Sequence, residues 1–360
     1  MEHTEDTLTM LHQIPSPAFF VDQNTITAVN GPAQQRLIQV GDCITDLLVT
    51  GQEEYTAFES GCLYLTMMVC GTACSASITS VGSHHLFVLE QDADQAELRT
   101  MALAAQALRM PLSNVMTVAD HLFPLTSADA PSETQEQIAR INRGLYQMLR
   151  IVCNMSDSYR FGNENAFHGE IRDIDALIQE HFDKAIPLLE HTGVKVRYTG
   201  LQQRLMTFVD TEQLERAISN ILSNAVKFSG GQGVIDARLI RKGRMLYFTV
   251  TDSGCGLSSQ VSANVFRRYQ RSPGLEDIKF GLGLGMVLIR NAASSHGGTV
   301  LLEQGEDFGL RLTMSLPIRQ NPDSMVRSPI MGIDYAGHRD HLLLEFADSL
   351  PANLYTPEEL

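Results

Sequence analysis

The sequence predicts a multidomain α+β protein: a small α+β domain over residues 1–91, an antiparallel helical hairpin over 92–165, an α/β sandwich domain over 166–318 and a tail over 319–360. Three observations lead there. Short apolar runs bounded by turn residues fill the first quarter, an unbroken three-four spacing of apolar residues fills two later segments, and helical and strand patterns alternate through the rest. At ~100 to 200 residues per domain, 360 residues also exceed what a single core organises.

In the first domain, PAFFVD and TITAVN read as strands, the turn at Gly31-Pro32 leads into a helix over AQQRLIQV, and CLYLTMMVC, CSASITSV and HHLFVLEQ read as further strands. An opening strand ending in Asp22, a second ending in Asn30 and a helix directly after it resemble a PAS sensor domain. In the hairpin, Leu98, Met101, Ala105, Leu108, Leu112, Val115, Ala119 and Leu122 form a heptad seam. A loop is expected at Pro124, Ser127, Asp129 and Pro131, and then Ile138, Ile141, Leu145, Met148, Val152, Met155 and Tyr159 repeat the spacing. Two such helices have too little core to stand alone, so pairing of two copies into a dimeric four-helix bundle is expected; packing on the chain's own domains is the alternative.

The third domain alternates DIDALIQEHFDKAIPLLE, VKVRYTG, LMTFVD, TEQLERAISNILSNAVKF, GVIDARLI and MLYFTVTD. A helix from about Leu284 and the strands GTVLLEQ and LRLTMSLPI close it, giving helices on one sheet. In the tail, HLLLEFADSL reads as a short helix before Pro351, either docked on its neighbour or partly disordered.

Composition narrows the function. With 44% hydrophobic and 19% charged residues the chain has a core to bury, and 27 basic against 42 acidic residues give a net charge of −15. That charge repels phosphate backbones and anionic lipid, so neither nucleic acid nor membrane is an expected partner. The start, MEHTEDTLTM, lacks an apolar leader core and no later run approaches the ~18 residues of a membrane span, so a cytoplasmic protein is expected. Six scattered cysteines fit reduced thiols; Cys62, Cys70 and Cys74 lack the paired spacing of a metal site, and Cys255 reads as a permissive turn position.

The chemistry concentrates in four motifs: NILSNAVKF with Asn220, Asn224 and Lys227; DSGCG with Asp252, Gly254 and Gly256; VFRRYQR with Arg268 and Arg271; and GLGLG with Gly281, Gly283 and Gly285. In this order they resemble the N, G1, F and G2 boxes of the histidine-kinase ATP-binding domain, whose fold is shared with gyrase, Hsp90 and MutL. The resemblance covers about 98–318 and implies a sensor of two-component signalling that binds ATP and Mg²⁺.

The residue types suit that task. Asn220 and Asn224 share a helix face with Lys227 one turn on, so an amide oxygen at Asn224 can ligate Mg²⁺ while Lys227 neutralises phosphate. Asp252 can accept a hydrogen bond from the adenine amino group, and Gly254 and Gly256 let the backbone approach the base. Gly281, Gly283 and Gly285 should let backbone N–H groups meet the phosphates. The resemblance adds Arg271 to the nucleotide-binding set and makes 272–280 the lid.

In this family the first hairpin helix carries a motif similar to S-H-E-L-R-T-P-L, with the histidine accepting phosphate. Here Ala105-Gln106-Ala107-Leu108-Arg109-Met110-Pro111-Leu112 stands in that register. Gln106 replaces the acceptor, Ala107 the acidic residue and Met110 the polar residue used for phosphatase activity. An amide nitrogen is not nucleophilic at neutral pH, so no phosphoramidate is expected there. His121 lies about 22 Å further down an ideal helix and makes a poor substitute.

The expected function is therefore an ATP-binding pseudokinase that regulates by conformation, as a homodimer with a response regulator or a partner histidine kinase. An active phosphotransferase, acting in trans or on a non-standard residue, is the alternative. A gyrase-type hydrolase would need a general base where Asn220 stands.

Overall fold

The computed structural model describes residues 5–90, 92–127, 131–162, 166–231, 233–254, 283–305, 308–319 and 339–356. After helix α1 (Glu5–Gln13), the first domain folds into five antiparallel strands: β1 (Ala18–Asp22), β2 (Thr25–Val29), β3 (Cys62–Val69), β4 (Thr72–Val81) and β5 (His84–Leu89). Short helices α2 (Gly31–Gln35) and α3 (Gln52–Thr56) lie between β2 and β3. Buried Asn30 ties this together: its Oδ1 accepts from the backbone N–H of Ala18 and of Ala33, each at 3.0 Å, while Nδ2 donates to the carbonyls of Ile14 and Ser16. The helix expected over Ala33–Val40 stops early because the chain turns at Leu37, which takes a left-handed φ of 59°.

The hairpin is present as helices α4 (Asp92–Ser127) and α5 (Ser132–Arg160). Helix α4 runs through the loop expected at Pro124: a proline disturbs the turn before it, and the three residues after it stay helical. The seam divides by heptad position. Leu98, Ala105 and Ala119, together with Ile138, Leu145 and Val152, are buried, whereas Leu108, Val115, Leu122, Ile141 and Met148 are exposed.

The third domain consists of helices α6 (Ile174–Glu190), α7 (Thr211–Phe228) and α8 (Leu284–His296), and strands β6 (Glu170–Asp173), β7 (Lys195–Thr199), β8 (Met206–Val209), β9 (Val234–Lys242), β10 (Met245–Thr251), β11 (Val300–Glu303) and β12 (Arg311–Pro317). The expectation of one sheet is corrected: β8 leaves the main sheet to pair with β6. The four-residue β6, EIRD, carries too little apolar periodicity to announce itself.

The main sheet also draws strands from both the first and the third segments. Strand β3 pairs antiparallel with β11, Leu301 opposite Leu63, so one ten-stranded sheet runs β2-β1-β5-β4-β3-β11-β12-β10-β9-β7 through both domains. Gly61 makes room, since a side chain there would strike the carbonyl of Leu302. Arg290 of α8 pairs with Glu90 across the same junction and lies over the Tyr64 ring.

The tail docks on the helices. Asp340 caps α9 (His341–Glu345) by accepting from the N–H of Leu342 and Leu343, and Leu343, Leu344, Phe346, Leu350 and Tyr355 are buried. Asn142 and Arg143 of α5 donate to carbonyls of Tyr355 and Ala347. Among the described residues no helix is long and apolar enough to cross a membrane.

Candidate functional site

Helix α7 matches its expected span because Asp210 caps it, accepting from the Gln213 N–H at 3.0 Å, and because its apolar face (Leu214, Ala217, Ile218, Ile221, Leu222) is buried. Its other flank carries Arg216, Asn220, Ser223 and Lys227, spaced by three and four residues. Asn220 is 1% exposed; its Nδ2 donates to the Arg216 carbonyl at 2.8 Å and its Oδ1 accepts from Arg150 of α5 at 3.4 Å. Asn224 is half-buried one turn on.

Two glycine contacts bring the other motifs to this helix. A side chain at Gly285 would have its Cβ 2.8 Å from the Asn220 Oδ1, so the glycine motif can pack on α7 only without one. A side chain at Gly254 would collide with the carbonyl of Phe228 at the end of α7. Gly283 takes a left-handed φ of 72° as the N-cap of α8, and as a glycine it brings no capping side chain. Its first N–H groups suit an anion.

Asp252 follows β10 and is 5% exposed. Its Oδ1 accepts from the N–H of Gly254 at 2.8 Å and of Leu310 at 3.3 Å. Burial pushes its carboxyl above the ordinary range, and those two N–H groups pull against the shift. A carboxylate fixed through one oxygen can offer the other to an amino group.

Lys227 has a partner that the sequence did not reveal. Its Nζ lies 2.7 Å from Oδ2 of Asp348 in the tail, and Arg150 Nη1 lies 2.6 Å from the same oxygen. Burial, then Arg150, lower the affinity of Lys227 for its proton, and Asp348 opposes them. Below this cluster, buried Arg216 pairs with Asp157 at 2.8 Å and with Glu345, and donates to Asn154 at 2.9 Å. In the sequence the tail offered only a short helical run, HLLLEFADSL, with acidic residues among its apolar ones.

The structure therefore brings together Asn220, Asn224, Lys227, Asp252, Gly254, Gly283 and Gly285. Gly256, Arg271 and Gly281, with Cys255 and the segment 272–280, lie outside the described residues. On α4, Gln106 and Ala107 are exposed beside buried Ala105, and Met110 is exposed too. His121 is a solvated position near the helix end. Among the described residues Cys43, Cys62, Cys70, Cys74 and Cys153 form no disulfide; burial pushes Cys62 up to about 12 and Cys153 up to about 11.

Residues 209–320 match the family described as histidine kinase-, DNA gyrase B-, and HSP90-like ATPase. The chain is similar to the swarming motility regulation sensor protein RssA of Serratia marcescens, with 27% identity over 64% of this chain and 49% of that protein. It is also similar to the circadian input-output histidine kinase CikA of Synechococcus elongatus, with 31% identity over 72% and 35%. Histidine protein kinase DivJ of Caulobacter vibrioides is 27% identical over 65% and 41%. The chain thus spans half or less of the length of these relatives. Among solved structures, full-length ShkA in complex with AMPPNP aligns with a TM-score of 0.49 and 19% identity, over 61% of this chain and 46% of that one.

Proposed function

The chain belongs to the sensor histidine kinase family and carries its ATP-binding domain, and from that premise we propose that it is a pseudokinase, binding ATP and signalling through shape without phosphorylating its own hairpin. One observation carries this reading. The position aligned with the acceptor holds Gln106, exposed on α4 with Ala107 and Met110 beside it, so neither nucleophile nor proton acceptor is present there. Positioning accounts for much of the rate in phosphoryl transfer, but it needs a group to position.

In this reading Asp252 takes the adenine amino group, Lys227 and the N-terminus of α8 face the phosphates, and Asn224 offers its amide oxygen to Mg²⁺. Gly256, Arg271 and Gly281 complete the proposed set. ATP acts as a ligand that shifts populations, which requires different affinities for two arrangements of the chain. The β3–β11 pairing supports a direct route from a PAS-like first domain, because β11 follows the helix whose N-terminus faces the phosphates.

The exposed set Leu108, Val115, Leu122, Ile141 and Met148 supports a homodimer. These residues repeat every seven positions and lie bare after the hairpin has filled its other seam, as the half of a four-helix bundle owed to a second copy would. A response regulator or partner histidine kinase is the proposed recipient of the signal, in the cytoplasm.

The second reading, phosphotransfer in trans or to a non-standard residue, draws on the same pocket, since α7 keeps both asparagines and the lysine. Mass spectrometry after incubation with a partner kinase separates the two, because an unlabelled partner speaks against transfer. For the pocket itself the test is calorimetric titration of ATP with and without Mg²⁺. Asp252→Asn is expected to lower affinity roughly ten- to a hundredfold, the loss of one buried charge-assisted hydrogen bond. Unchanged affinity would remove Asp252 from the site.

A further inference from the structure

We propose that the C-terminal segment is an autoinhibitory clasp, in which the Asp348 carboxylate occupies the cation that a nucleotide's phosphates need and must leave when a triphosphate binds. The proposal rests on Lys227 being the phosphate-facing residue of α7.

A single oxygen of Asp348 sits 2.7 Å from Lys227 and 2.6 Å from Arg150. Two cations therefore share one carboxylate oxygen, with Glu345 further off at 4.0 Å from Arg150, an arrangement that a polyanion satisfies better than a lone carboxylate does. Burial works against ionisation of Asp348, yet Arg150 and Lys227 outweigh it and hold the carboxyl below its ordinary range. At neutral pH it is a standing anion beside Lys227. Ser349 adds a contact at 3.3 Å from Ser223, the residue of α7 between Asn220 and Lys227.

The segment is built to hold and to release at different points. Glu345 is fully buried against Arg216, and the apolar side chains of Leu343, Leu344 and Phe346 anchor it. The Asp348 side chain is 23% exposed against 3% for Glu345, so the turn that carries it can open into water while the anchor stays in place. Arg143 donates to the carbonyls of Ala347 and Asp348, which fastens the same stretch to α5. Because the clasp grips the hairpin helix on one side and the ATP-domain helix on the other, its release loosens the contact between them. Triphosphate binding thereby becomes a change of shape.

The test uses the full-length protein and its Asp348→Asn variant, with folding of both checked by circular dichroism, titrated in parallel with ATP and with adenosine. ATP affinity is expected to rise about tenfold in the variant, the penalty removed when a site closed in about nine-tenths of molecules is opened. Adenosine affinity should stay the same, since it brings no phosphate. In the unaltered protein, saturating ATP should speed amide hydrogen exchange at Ser349 and Leu350, whose N–H groups both bond the Phe346 carbonyl. Unchanged ATP affinity in a variant that binds adenosine, or exchange there that slows or stays constant with ATP bound, would overturn the clasp alone. Failure of both proteins to bind either ligand would overturn the nucleotide site, and the clasp with it.

Discussion

Helix α7 turns several polar side chains inward and pairs them there, whereas helix α4 presents apolar and polar side chains alike to water around position 106. On α7, Arg216, Ser219, Asn220 and Ser223 are almost fully buried and bonded to α5, α6 or the tail. On α4, Gln106, Ala107 and Met110 are exposed. The difference is thermodynamic. A binding residue that is also a structural partner cannot change without loss of stability, while an acceptor on a solvent-facing helix can be replaced at almost none. In the proposed reading this is why a nucleotide pocket coexists with a replaced acceptor position.

Breaking the α7 side should have the largest effect. Arg216→Leu would leave Glu345 buried without its close cation, with Asp157 still beside Arg160, at a cost of about 3 kcal/mol. Urea denaturation measures it; a loss below about 1 kcal/mol would mean the network does not hold α7 in place.

A smaller, titratable effect comes from His181 of α6, whose ring meets the Ser219 hydroxyl at 3.1 Å. Burial, then Lys184, lower its pKa to about 4, so the folded state favours the neutral ring. Its contribution is complete above the ordinary value near 6.5, is lost as pH falls from there towards 4, and changes no further below, by roughly 1.4 kcal/mol per unit of separation. The urea midpoint should fall through that window, and His181→Gln should flatten the fall. An unchanged slope would remove His181 from the pH dependence.

The least effect on stability belongs to the α4 side. Val115→Glu places a charge on an exposed position and should change the unfolding free energy of the single chain, measured at concentrations too low for pairing, by less than about 0.5 kcal/mol. Its solution mass by sedimentation should nevertheless halve, and a dimer that survives would assign the stripe to some other contact.

Legibility in the sequence follows the same division. The span of α7 and the grouping of Asn220, Asp252, Gly254 and Gly285 were readable, because capping, helix periodicity and short motifs are local signals. The seam on α4 and α5 was readable as a pattern, but its division into a filled and a bare half depends on what the hairpin packs against. The β3–β11 pairing and the Arg150–Asp348–Lys227 cluster were not readable at all. Their partners lie far apart in the chain, and neither an ordinary strand edge nor an aspartate in a tail announces what it will meet. Strand β6 was missed because four residues are too few to show a period.

The most direct measurement is incubation of the purified protein with γ-labelled ATP and Mg²⁺, beside a Gln106→His, Ala107→Glu variant that binds nucleotide equally well. The wild-type hairpin is expected to take no acid-labile phosphate, while the variant gains phosphohistidine at position 106, where Leu108, Arg109, Pro111 and Leu112 already stand in register. Acid-labile label on the wild-type hairpin would contradict the pseudokinase reading.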